Sequence, residues 1–362
     1  MRKPDPAHQA TDKLIAKIEK EITKEYKKAH KEVASKMDNY LKRFATKDKT
    51  WQKWVTEGKK TQAEYTAWKK GQILMGQRWG DLKETLAEDY TNAAKISQSI
   101  ANGYRAEAYA INHNYATFEI EKTSRLNTSY SLYSRESVER MYRDNPKLYH
   151  DPGKKISQAI RQGKQMDWDK RRIQSVLTQG ILQGESVPNL TKRLERVTGG
   201  DHKAAIRNAR TMITGAQNAG RIDAQERAKG MGIPVKKQWL ATLDERTRHW
   251  HAELDGVTVE TDEPFENEFG AIMFPGDPDA DGANIYNCRC TLLTVIPKHE
   301  IDTSDTDLRH DKNLGDMTYD EWKAEKESKS NPITQPEKLV NQSGGRTLTS
   351  IGESNGKGVI QT

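Results

Sequence analysis

Residues 213–242 read ITGAQNAGRIDAQERAKGMGIPVKKQWLAT, and within this stretch the pattern turns from helix to strand. Upstream of the turn, Ile206, Ala209, Ile213, Ala216 and Ala219 recur at helical spacing and predict a helix over about 202–229. Its inner face is small, so it should pack closely against a neighbour. GMGIP then supplies a glycine at the C-cap and a proline just beyond it. KKQWLAT reads as a strand entering a core, DERTRHWHAEL as a short helix, and CRCTLLTVI as a last strand. Between them FGAIMFPGDPDADGANIYN is rich in turn residues. Residues 157–297 therefore form an α+β unit in which helices precede a small, mostly antiparallel sheet.

Working outward, two shorter helices are expected before it. One runs from Trp168 to Leu182 with Ile173, Val176, Leu177 and Ile181 inward, the other from Pro188 to Val197. YRDNPKLYHDPGKK, at 142–155, reads as a connection. Near the start, Ile15, Ile18, Ile22, Tyr26, Val33, Met37, Leu41 and Phe44 fall mostly three, four or seven apart, as in a long amphipathic helix. A second stripe runs Leu82, Leu86, Tyr90, Ala93, Ile96, Ile100, Tyr104, Ala108 and Ile111. Trp51, Trp54, Trp68 and Trp79 lie between the two; they suit either a packed stripe or stacking on bases. The predicted organisation is a basic long-helix region over 1–150, a hairpin or open bundle, followed by the α+β unit over 151–297. A polar tail over 298–362 is expected to be extended.

Composition agrees with long exposed helices around a modest core: hydrophobic residues are 34%, charged residues 31%, and mean hydropathy is −0.94. The charge is uneven. Residues 1–80 hold 20 Lys and Arg against 10 Asp and Glu, whereas residues 241–300 hold 4 against 13. A polyanion is thus a natural partner for the N-terminal part, through scattered bases such as Lys27, Lys28, Lys31, Lys42, Arg43, Lys59, Lys60, Lys69 and Lys70. The alternative is a solvated helical surface. No run approaches 18 apolar residues and no leader is expected at MRKPDPAHQA, so membrane association is not anticipated.

The only two cysteines, Cys288 and Cys290, are one residue apart and cannot build a disulfide framework, which suits a reducing compartment. Asp244, Arg248, His251 and Asp255 are spaced four, three and four, one face of a helix if the segment is helical throughout. Several chemistries fit. Cys288, Cys290 and His251 are good zinc ligands, so a structural zinc is the cofactor these residues admit, with the fourth ligand unassigned. The cysteines also suit a buried core, with Asp244, Arg248 and His251 as a polar network that orients the PGDP loop. A hydrolytic metal site is a third reading. Redox chemistry fits poorly, because the spacing is Cys-x-Cys rather than Cys-x-x-Cys. Asp277, Asp279 and Asp281 alternate as in a calcium loop but lack its bidentate Glu. There is no nucleophile elbow, HExxH pattern or phosphate loop.

WLATLDERTRHWHAELDGVTV followed by FPGDPDADGANIYNCRCTLLTVI resembles the phage Mu F-like minor head proteins, also described as head morphogenesis proteins. The matching elements are Trp239, Thr242, Asp244, Arg248, His251, Asp255 and Gly256, then Pro275, Gly276, Asp277 and Pro278, then Asn287, Cys288, Arg289 and Cys290. The preceding helix, NARTMITGAQNAGR, matches through Arg210, Thr211, Thr214 and Asn218. The resemblance covers about 150–297. It implies a virion protein inside the head of a tailed phage near the portal, made in the host cytoplasm. Its implied partners are the portal protein, capsid and scaffold proteins, and double-stranded DNA without sequence preference, in head assembly or DNA delivery. Some members are fused to toxin domains, and no such module is expected after residue 297. The overall expectation is a non-enzymatic minor head protein. A metal-dependent nuclease or effector using His251, Cys288, Cys290 and Asp244 or Asp277 is the alternative.

Overall fold

The computed structural model describes residues 5–74, 77–144, 164–183, 185, 187–297 and 308–330. In chain order its elements are α1 (Pro6–Thr56), α2 (Gln62–Leu74), α3 (Gln77–Ser124), β1 (Leu126–Asn127), α4 (Arg135–Asp144), α5 (Lys164–Leu182) and α6 (Val187–Gly230). Then follow β2 (Lys236–Leu240), α7 (His249–Ala252), β3 (Thr258–Glu260), β4 (Phe265–Asn267), β5 (Gly270–Ile272), α8 (Gly282–Ile285) and β6 (Thr291–Val295). β7 (Arg309–His310), a 3-10 turn (Lys312–Gly315) and α9 (Tyr319–Ser330) complete the described chain. The protein is predominantly helical with small antiparallel sheets, as the α+β pattern predicts.

The two long N-terminal stripes are the 51-residue α1 and the 48-residue α3. Asp5 caps α1 by accepting from the His8 amide at 2.9 Å, with Pro6 in the first turn where its missing N–H costs nothing. The helices expected at 188–197 and 202–229 are one continuous α6. Gly199 and Gly200 lie inside it with open space beside them, and glycine there weakens a helix by about 1 kcal/mol without breaking it. One buried row, Leu190, Leu194, Ala209, Ile213 and Ala216, runs through the join and outweighs that loss.

The core follows from these stripes. Ile18, Ile22, Tyr26, Val33 and Met37 of α1 meet Leu86, Tyr90, Ala93 and Ala101 of α3, Ile173 of α5, and the row on α6. The side chains of Leu177, Ile181 and Trp79, and the connection from residue 145 onward, lie outside the described residues. Small residues let α6 approach its neighbours closely. A Cβ on Gly220 would sit 2.5 Å from the Tyr109 carbonyl oxygen of α3, and one on Gly215 would sit 2.7 Å from that of Gly276. Trp51 and Trp68 stack on each other at 5.1 Å across α1 and α2, and Phe44 stacks on Trp68 at 5.9 Å. These rings thus form a small core of their own, while Trp54 stays 37% exposed.

The sheet order is β3–β2–β6, all antiparallel, with Trp239 opposite Leu292 and Gln238 opposite Thr258. A hairpin of β4 and β5 lies beside it. Lys237 joins the two. It is fully buried on β2, donates from Nζ to the Met273 carbonyl at 2.9 Å, and lies over the Phe265 ring at 5.3 Å. Desolvation lowers its pKa to about 8, against the opposing pull of Glu226 and Asp277. Further on, between Leu308 and Ser330, the tail folds back onto α3. β7 pairs with β1, and the buried Trp322 donates from Nε1 to Glu121 at 2.6 Å. Lys326 reaches the same buried carboxylate at 3.0 Å. The glycine-rich stretches from residue 331 lie outside the described residues.

Two outcomes are expected. Gly220→Ala forces a methyl group against backbone and should lower unfolding free energy by about 1–3 kcal/mol in urea titrations. The second concerns Lys237, whose folded pKa lies below its unfolded value of 10.5. Between about 8 and 10.5 the unfolded chain therefore binds more protons, and stability from this group rises with pH across that window. Measured against Lys237→Met, the native protein should gain in urea midpoint on going from pH 7 to about pH 9.5.

Candidate metal centre

His251 comes from α7, while Cys288 and Cys290 come from the turn that joins α8 to β6; each is only 2% exposed. His251 Nδ1 lies 3.6 Å from Cys288 Sγ and 3.6 Å from Cys290 Sγ. All three donor atoms are within 4.8 Å of one another. A tetrahedral zinc, with Zn–N of about 2.0–2.1 Å and Zn–S of about 2.3 Å, requires an N···S edge of about 3.6 Å. The residues fit such an ion as three of its four ligands. Among the described residues no fourth His, Cys, Asp or Glu joins the group. The Cys290 amide also donates to Cys288 Sγ at 3.4 Å. The Cys288 thiol and His251 hold the Cys290 thiol well below its ordinary value, whereas Cys290 and burial push Cys288 up. The surroundings are apolar: the Trp239 ring meets His251 edge-on at 5.2 Å, with Phe265, Leu254, Ile285 and Leu292 in the same cluster.

The cysteine turn is held by one face of α6. Arg210, Thr211, Thr214, Gln217, Asn218, Arg221 and Gln225 recur at three- and four-residue spacing and form a polar stripe. Thr211 Oγ1 accepts from the Asn287 amide at 3.0 Å, and Thr214 Oγ1 donates to the Cys288 carbonyl at 3.0 Å. Asn218 donates to the carbonyls of Pro275 and Cys290 at 3.0 and 3.2 Å, and its Oδ1 accepts from the Leu292 amide at 2.9 Å. Gln225 reaches the Leu293 carbonyl at 3.2 Å. Asn287 holds a left-handed φ of 62°, with Arg210 bonded to its side-chain oxygen. Gln217, Arg221 and Gln225 were not among the residues singled out by sequence; their spacing relative to Asn218 is the signal that identifies them.

The other motif residues lie around this turn. Asp244 is not on a helix with His251, because only His249–Ala252 is helical. Asp244 instead accepts from the Arg246 amide at 2.9 Å and pairs with both terminal nitrogens of Arg289 at 2.5 and 2.6 Å. Local turn bonds outcompete the helix there, and Arg289 holds the carboxyl well below the usual carboxylate range. Arg248 donates to the Tyr286 carbonyl. Asp255 accepts from the Ala241 amide at 2.9 Å, and Gly256 turns the chain at a φ of 80°. In the Pro275–Pro278 loop, Gly276 (φ 82°) abuts Gly215 of α6. Asp277 accepts from the Met273 and Asp279 amides, both at 3.0 Å, and Asp281 caps α8. These aspartates serve turns, and the described residues place no metal-capable group there.

Of the basic residues considered for nucleic acid, Lys27, Lys28, Lys31, Lys42, Arg43, Lys59 and Lys70 are exposed. Lys42 and Lys59 also pair with Asp38 at 2.6 Å and Glu57 at 2.8 Å. Lys60 and Lys69 are half-buried against Trp51 and Tyr65 and pair with Glu64 and Asp48. The expectation of a non-enzymatic chain does not stand. A compact His/Cys/Cys cluster able to hold a metal ion is present, and it leaves a catalytic role open. Among the described residues no helix is long and apolar enough to cross a membrane.

Comparison with known proteins matches residues 171–293 to the family model described as phage Mu protein F like protein. An NAD(+)–arginine ADP-ribosyltransferase, EFV, of Enterococcus faecalis is 29% identical over 67% of this chain and 48% of its own length. The minor head protein GP7 of Bacillus phage SPP1 is 25% identical over 81% of this chain and 88% of its own. An uncharacterised Haemophilus influenzae protein is 26% identical over 59% of this chain, which spans 43% of that protein. The chain thus spans about half or less of the enterococcal and Haemophilus relatives but most of the phage one. No solved structure matches. The motif helix, the PGDP loop and the cysteine turn all lie inside the matched segment, and residues 171–293 form a region of the phage Mu F-like family.

Proposed function

We propose that this protein works inside the head of a tailed phage near the portal, contacting portal and capsid or scaffold proteins and touching double-stranded DNA without sequence preference. The similarity to GP7 along 88% of that protein's length carries this reading, since it extends beyond the motif region to the long helices. In functional terms we take residues 1–150 as the contacting arm, 151–297 as the motif unit and 298–362 as the tail. DNA contact falls to the exposed bases of α1 and the hairpin it forms with α2, where Lys and Arg outnumber Asp and Glu. Zinc would be held by His251, Cys288 and Cys290 and would tie α7 to the strand entering β6.

The metal-capable cluster supports a second reading, a metal-dependent nuclease or effector. A centre with three protein ligands keeps one coordination position for water or substrate, the arrangement of catalytic zinc sites. Burial of all three ligands weighs toward a structural role.

Four measurements test these readings. Mass analysis of purified empty and full heads should find the protein in both; its absence from particles overturns the virion role. Replacing Lys42, Arg43, Lys59 and Lys70 with Glu should weaken binding to any duplex about tenfold at low salt, an effect that fades at high salt. Protein purified under reducing conditions should carry about one zinc per chain, lost in His251→Ala and in Cys288→Ser. DNA cleavage that is abolished by chelator and by His251→Ala would establish the nuclease instead.

A further inference from the structure

The polar stripe on α6 has two sides. One holds the cysteine turn, and the other holds the first turns of α1. Gln217 Nε2 donates to Thr291 Oγ1 at 2.7 Å and also meets His8 Nδ1 at 2.8 Å. Arg221 donates to the Leu292 carbonyl at 2.9 Å, to Asp5 Oδ1 at 2.7 Å and to Asn112 Oδ1 at 3.0 Å. Asn112 in turn donates to Thr11 at 2.8 Å. Gln217, Arg221 and Asn112 are all at most 1% exposed, so no water competes for these bonds.

We infer that the His251/Cys288/Cys290 centre is coupled through Gln217 and Arg221 to the start of α1, so that metal loading decides how firmly residues 5–14 are held to the body. The inference rests on the metal reading of the centre. The route is short and continuous: Cys290 is followed directly by Thr291 and Leu292, the residues that Gln217 and Arg221 grip. With a metal bound, Cys288 and Cys290 are tied to α7, and the strand entering β6 has one position. Without it, the cysteine turn is held by side-chain bonds to α6, by Thr242 on the Arg289 carbonyl and by the Arg289–Asp244 pair, and the strand beyond it by its pairing with β2. Each shift of Thr291 or Leu292 leaves a buried amide or guanidinium half-satisfied, which is unfavourable enough to make Gln217 and Arg221 rearrange. Rearrangement withdraws the partners of His8 and Asp5.

The effect has a boundary. The stripe's last grip on α1 is Arg210, which donates to Glu19 and to the Asn287 side chain; from Ile22 onward α1 is held by its own apolar row, Ile22, Tyr26, Val33 and Met37. Only the first turns, where Asp5, His8 and Thr11 supply polar anchors and Ala7 packs on the Tyr115 and Trp322 cluster, should respond.

Hydrogen exchange read by mass spectrometry on the full chain tests the coupling, with zinc content measured on the same samples. Stripping zinc with a chelator should raise exchange in residues 5–14 about tenfold, with residues 22–37 unchanged. Gln217→Leu should still bind zinc as the native chain does, yet show fast exchange in 5–14 with or without it. Thr291→Val removes the same bond from the other side and serves if Gln217→Leu does not fold. Complete zinc removal with no change in 5–14, or an equal rise over 22–37, overturns the coupling while leaving the metal centre intact. No zinc uptake at all overturns the metal reading, and the coupling with it.

Discussion

The side-chain amide of Asn218 fixes more of this architecture than any other single group. It sits on α6 where three separate pieces of chain meet, and it supplies partners for the Pro275 carbonyl, the Cys290 carbonyl and the Leu292 amide. None of these belongs to a regular ladder at that point. Buried backbone groups without partners are costly, so one fully satisfied amide decides where the PGDP loop and the incoming strand lie. With the strand placed, the thiols of Cys288 and Cys290 face His251, and a site that can hold a metal results.

Close packing makes that amide's reach possible. Gly215 admits the Gly276 backbone on one side of α6, and Gly220 admits the Tyr109 backbone of α3 on another. A side chain at either position would push α6 away and lengthen the hydrogen bonds beyond use. The helix is therefore both a core element, through Ala209, Ile213 and Ala216, and a polar template for irregular chain. This dual demand explains its unusual composition of small, amide and hydroxyl residues.

The family assignment and the chemistry of the centre stand on different grounds. The first rests on the match of residues 171–293 to the phage Mu F-like model, beside the similarity to a phage minor head protein over most of that protein's length. The centre rests on three buried donor atoms within 4.8 Å of one another, with both N···S edges at 3.6 Å. What the centre does is a separate question, since a closed clamp and a catalytic site share the same three ligands.

Period and punctuation alone determined much of the helix and strand inventory: the stripes of α1 and α3, the strand at Trp239, the last strand after Cys290. Each depends on local spacing, which the chain carries within itself. The motif residues were legible too, as an ordered set. Tertiary structure decided the rest. Asp244 and His251 share a helical spacing but not a helix, because Arg289, 45 residues away in sequence, draws Asp244 into a turn. Gly199 and Gly200 read as a break, yet α6 passes through them, because a buried row on both sides outweighs a weak local preference. Likewise the polar tail reads as extended, but Trp322 and Lys326 find a buried Glu121 on α3. In each case a partner far along the chain supplied an interaction stronger than the local propensity, and no local pattern records where that partner will be.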